Sequence, residues 1–83
     1  MKLPIIKQIV ESGDFDEDYL DETIDVLICI SEARGLKDDE VEVIGELISN
    51  ISGAKEVMLE MKNGTPQREA LNGFMKRVMG AIN

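Results

Sequence analysis

The sequence predicts an all-α fold, a small four-helix bundle-like domain with a long third helix at its centre. Two observations carry that expectation. From Lys37 to Lys62, apolar residues recur at Val41, Ile44, Ile48, Ile51 and Met58, spacings of three, four and seven that put them on one helical face. A second row, Val43, Leu47, Ala54 and Met61, runs beside it. The other observation is punctuation: Ser12-Gly13, Arg34-Gly35 and Asn63-Gly64-Thr65-Pro66 divide the chain into four periodic segments, expected at about 4–12, 16–34, 38–62 and 66–81. With 83 residues, the chain is expected to be one domain, 1–83.

Taken in order, Pro4 suits the start of the first helix, where a missing N–H costs nothing, and Ile5, Ile6, Ile9 and Val10 give it an apolar face. So short a helix does not persist alone and has to dock. The second helix opens with Asp16 as N-cap, Glu17 and Asp18 complementing the helix dipole, and Phe15 and Leu20 at staple positions. Its main face runs through Leu20, Ile24, Leu27, Ile28 and Ser31, while Val26 and Ile30 lie on another side. The run IDVLICI is therefore apolar nearly all round and is expected to be covered from more than one direction. Arg34 and Gly35 read as its last turn and cap. Asp38, Asp39 and Glu40 fill the first turn of the third helix, which is expected to continue through Gly53, possible bend included. Gly64 reads as its C′ residue, Thr65 as the next N-cap, and Pro66 as the first residue of a helix carrying Leu71, Phe74, Met75, Val78, Met79 and Ile82.

Net charge is −8, and it is uneven: residues 1–46 hold 14 acids against 4 bases, residues 47–83 hold 3 against 5. Such a balance repels nucleic acid and anionic membrane, so neither is an expected partner. No apolar run reaches the roughly 18 residues that span a bilayer, and Pro4 and Lys7 interrupt any signal-like start, which reads as a cytoplasmic protein. One cysteine and no histidine remove disulfides, the usual transition-metal ligands and the commonest general base.

The constellations that could carry chemistry are few. Asp14, Asp16 and Asp18 mimic the start of a calcium loop, but Tyr19 stands where glycine makes the turn and Asp21 where an apolar residue belongs. No pair of carboxylates falls on an apolar face that would separate their pKa values, and no Glu-x-x-His exists for a carboxylate-bridged metal. Neither a catalytic site nor a cofactor is expected. Cys29, inside the apolar run, is expected to be buried as a small hydrophobe. Acidic bundles of this size include acyl carrier proteins, but the Asp-Ser-Leu attachment motif is missing. Gly45, Ser49 and Gly53, four apart, make a bare strip for close helix approach, with Gly73 and Gly80 offering a matching surface. Met58, Met61, Met75 and Met79 read as core more readily than as an adaptable groove.

The opening MKLPIIK, the segment VIGELISN and the ending GTPQREALNGFMKRVMG resemble a family of short all-helical bacterial proteins of unknown function, over nearly the whole chain. That resemblance brings no activity with it; it implies an association with thioredoxin-like and peroxide-reducing proteins as a pathway. The entry GLKDDE also looks like helix starts in tellurite-resistance-type domains, but Arg34 stands where their metal-binding acid would be. The expected function is a non-catalytic acidic interaction module, homodimeric and offering its acidic half to a basic protein surface. Its expected contact residues are Val26, Ile30, Gly45, Ser49 and Gly53 with Asp16, Asp18 and Asp21. The alternatives are a carboxylate-based metal-binding or enzymatic protein, or an accessory of a thiol or peroxide redox pathway.

Overall fold

The computed structural model describes residues 2–82, with side chains as far as Val78, so the expectations for the side chains of Met79 and Ile82 and for Gly80 lie outside the described residues. Four helices follow in order: α1, Leu3–Ser12; α2, Glu17–Ser31; α3, Asp38–Lys62; α4, Gln67–Ile82. No strand occurs among the described residues.

The helix ends show why the chain breaks where it does. Gly13 takes a left-handed φ of 68° and ends α1. Asp16 caps α2 as expected, its Oδ1 accepting the Tyr19 N–H at 2.8 Å. Phe15 rests against the ring of Tyr19, centroids 5.0 Å apart, rather than acting through Leu20 alone. α2 stops at Ser31, three residues before the expected end: the Glu32 and Ala33 N–H groups turn back to the carbonyls of Cys29 and Ile30, which leaves Arg34 in the connection. At α3, Glu40 reaches back to accept the Lys37 N–H at 2.9 Å.

α3 ends in a complete Schellman arrangement. The Gly64 N–H donates to the Met61 carbonyl, the Thr65 N–H to that of Glu60, and Gly64 sits at φ 101°. This corrects the reading of Thr65 as the side-chain cap of α4. Its backbone closes the preceding helix, and the first α4 bond runs from the Ala70 N–H to the Pro66 carbonyl.

α3 is the element on which everything packs. Among the described residues α2 touches α3 alone, whereas α1 and α4 pack on α3 and touch one another. The core is Ile6, Leu20, Ala54, Val57, Ala70, Leu71 and Phe74, with Met58, Met61 and Met75 packed against it. All of its α3 members lie in the C-terminal half of that helix.

Gly53 explains the location. A Cβ at this position would lie 2.8 Å from Phe74 Cε1 and 2.9 Å from Ile6 Cδ1, so α1 and α4 both close on bare backbone. α3 runs through it without a break. The expected pairing of glycine strips is therefore corrected: Phe74, not Gly73, meets α3 here, and a Cβ at Gly45 would touch nothing within 4 Å.

These two glycines give opposite expectations from one substitution. Gly45→Ala should stabilise the protein by up to about 1 kcal/mol through helix propensity. Gly53→Ala should destabilise it by roughly 1–2 kcal/mol, because overpacking two core side chains exceeds that gain. Urea denaturation of both variants checks this; equal effects would show that the Gly53 contact is not tight.

Candidate interaction surface

Two helical stripes define the surface. Along α3, Val43, Leu47, Asn50, Ala54, Val57 and Met61 follow alternate spacings of four and three, the pattern of a helix-packing seam. From Asn50 to Val57 that seam is buried. Toward the N-terminus it is bare: Val43 is 58% exposed and Leu47 40%.

The reason is length. α1 has ten residues, about 15 Å, against 25 in α3, about 37 Å. α1 begins opposite Asn50, whose Oδ1 accepts the Lys2 N–H at 2.8 Å, and nothing described continues the cover beyond that point. Asn50 itself is 1% exposed, and its Nδ2 has no hydrogen-bond partner. It is the one buried polar side chain among the described residues, and nothing in its sequence context had marked it.

The second stripe is on α2, where Tyr19, Thr23, Val26 and Ile30 repeat at four, three and four. Leu20 is buried, while Ile24 and Leu27 are half-buried on the side toward α3; Tyr19, Val26 and Ile30 are exposed. Ile30 joins Leu36, Val43 and Ile44 in lining one groove, and Ile5 joins Val43, Leu47 and Asn50 in lining the next, a depression of about 670 Å³. Ile30 thus brings the end of the α2 stripe beside the bare end of the α3 seam.

Acid borders that face. Asp39 and Glu40 line the first groove; Asp39, Glu42 and Glu46, with Lys2, line the second. Residues 22–47 hold eight acids against Arg34 and Lys37. Among the described residues, ion pairs within 4.0 Å engage Glu11, Glu17, Asp21, Glu56 and Glu60, and none of these involves Glu22, Asp25, Asp39 or Glu42.

The residues expected at a contact are distributed unevenly. Val26 and Ile30 are on the bare face, and Gly45 is exposed on α3. Ser49 is half-buried in a groove beside Phe74 and Val78, and Gly53 is covered by its own chain. Asp16 is engaged as a cap, and Asp21 accepts from Lys55 Nζ at 2.6 Å; Asp18 stands in solvent. Cys29 corrects its expectation outright, being exposed. Nine residues from Leu20, it projects from the opposite side of α2, and α2 is covered on one side only.

For metal chemistry, no three Asp, Glu, Cys or His side chains among the described residues converge closely enough to hold an ion. Near the start of α2, Glu17 pairs with Lys62 and Asp21 with Lys55. No helix among the described residues is long and apolar enough to cross a membrane.

The described residues define a small all-α domain with an apolar, acid-bordered face left uncovered. The chain belongs to a family of unknown function (DUF6952), whose pattern it matches over residues 1–83. Comparison with curated proteins and with solved structures found no match.

The Lys55–Asp21 bridge ties α3 to α2 and gives a pH test. The hydrogen bond to Asp21 is the main cause that raises the Lys55 pKa above 10.5, opposed by desolvation and supported by the charges of Asp21, Glu17 and Asp18. A raised pKa means the stabilisation is in force below the unfolded value and is lost as pH rises through the folded one. Lys55→Met should therefore melt below the parent chain through neutral pH, and as pH is raised the gap should close above about pH 10.5. A gap that closes near neutrality would show that the bridge is not its cause.

Proposed function

We propose that this protein is a non-catalytic interaction module and that the bare α2–α3 face is where its partner docks, the acidic half of the chain turned toward a basic protein surface. One observation carries the reading. The accessible surface is 5928 Å², where a compact monomer of 9.2 kDa exposes roughly 4,900 Å². The excess, about 1,000 Å², is the area one partner contributes to a standard protein interface, about 800 Å². Shape agrees: the radius of gyration is 13.6 Å against about 12 Å for a compact chain of this length. At 44 × 32 × 16 Å the molecule is a slab two helix layers thick.

A homodimer is the second reading, favoured by the same area and by the seam spacing of the α2 stripe. Two slabs stacked on that face would approach the thickness of an ordinary domain. A two-fold contact would bury Val26 and Ile30 of both copies. Light scattering across micromolar concentrations separates the readings: a mass that doubles, and that Val26→Glu or Ile30→Glu returns to 9.2 kDa, supports the dimer.

The metal-dependent alternative has its own measurement. On the proposed reading, calorimetric titration with calcium, magnesium or manganese shows no binding tighter than roughly 10 μM. Binding at that strength, lost in Asp16→Asn, would favour the alternative instead, since asparagine keeps the cap and removes the charge.

A further inference from the structure

We infer that the occupant of this face is a basic amphipathic helix from another protein, lying over Val43 and Leu47 in line with α1 and against Ile30 of α2. The inference rests on the reading of the face as a docking surface and names its partner by chemistry.

The floor of the site is a helix seam already in use. From Asn50 onward the α3 stripe is buried in the core that α1 helps to close, with Ile6 inside it and Leu3, Ile9 and Val10 packed against it. The same spacing continues through Leu47 and Val43 with no helix above it. A surface already matched to a helix along half its length accepts a second helix along the rest, with apolar anchors at i, i+3 or i+4, and i+7. The end of α2 and the connection after it supply the side wall through Ile30 and Leu36.

Charge then selects among helices. The floor is apolar, but its margins carry Asp39, Glu40 and Glu42 on α3, with Lys2 at the α1 end. An acidic or neutral helix would leave these carboxylates against like charge or desolvated without a partner, which is how a docking site rejects partners. Lysine and arginine flanking an apolar stripe would pair with them while their stems cover apolar surface.

A second copy of this chain fits less well. Its α2 and the start of its α3 are as acidic as the site, so stacking them sets like charges face to face. Its one helix with a basic balance, α4, has Ala70, Leu71 and Phe74 buried in its own core. The chain has no free basic helix to offer another copy.

The test uses the whole chain and two fluorescein-labelled helical peptides of about 18 residues, each with leucine at seam positions, one flanked by lysine and arginine and the other by glutamate. By fluorescence anisotropy the basic peptide should bind at low micromolar Kd, and the acidic one at least tenfold more weakly. Leu47→Glu and Val43→Glu should each weaken the basic peptide at least tenfold, although each adds negative charge. Asp39→Asn with Glu42→Gln should weaken it several-fold and flatten its salt dependence. Ile28→Glu, on the other flank of α2, should leave it unchanged. All five positions are exposed, and circular dichroism confirms that each variant is helical.

Equal binding of both peptides, or basic-peptide binding indifferent to Leu47→Glu and Val43→Glu, overturns the inference. So does a doubled mass that Leu47→Glu abolishes, which would give the face to a second copy while the docking reading stands. If neither peptide binds and the mass stays at 9.2 kDa throughout, the docking reading falls along with the inference.

Discussion

Two helices reach α3 at one place because residue 53 has no side chain. Phe74 from α4 and Ile6 from α1 both occupy the volume that a Cβ would need, and the buried cluster forms around that point. The rest of the architecture follows from where it falls. Gly53 lies in the C-terminal half of α3, so the core is gathered there, with Leu20 from the start of α2 completing it. The polar ties sit at the same end: Glu17 with Lys62, Asp21 with Lys55, and Arg77 with Glu60 at 2.8 Å. A short chain that concentrates its core in this way leaves the other end of the α2–α3 hairpin as two helices packed only on each other.

The bare face also has an internal boundary, set by Asn50. A buried polar residue in a helix seam commonly fixes register at some cost in stability, and here its Oδ1 holds the Lys2 N–H, which sets where α1 starts along α3. A leucine at this position would bury more apolar surface but would not specify the start of α1. The unpartnered Nδ2 is the accompanying cost.

Much of this was legible in the sequence because it is decided locally. The left-handed glycines Gly13 and Gly64, the Asp16 cap and the central place of the third helix depend on residues within a few positions of one another, and the structure has them as expected. What was not legible depends on neighbours distant in the chain. Gly45 and Gly53 are the same residue type in the same helix, and only the approach of α1 and α4 makes one open and the other filled. The all-round apolar run of α2 gave no way to tell its covered side from its bare ones, so Cys29 was expected inside and stands outside. Thr65-Pro66 carried two valid signals at once, and the backbone took both, the Thr65 N–H closing α3 and the Pro66 carbonyl opening α4 with no side-chain cap between them. The exposure of Val43 and Leu47 was within reach of a length argument, since a ten-residue α1 covers less than half of a 25-residue seam.

The distribution of charge bears on the same face. An uncovered apolar surface on a thin core is an aggregation hazard, and the ordinary remedy is net charge close to it. Here 14 of the 17 acids lie in the first 46 residues, which supply α2 and the exposed start of α3, while the well-covered second half of the chain is slightly basic. If solubility alone were being served, the acids would be as useful over α4. Their concentration in α2 and the exposed start of α3 places them at the border of apolar surface that Val43 and Leu47 leave uncovered. The short reach of α1 along α3 is what leaves that surface bare, and the charge stands where the cover ends.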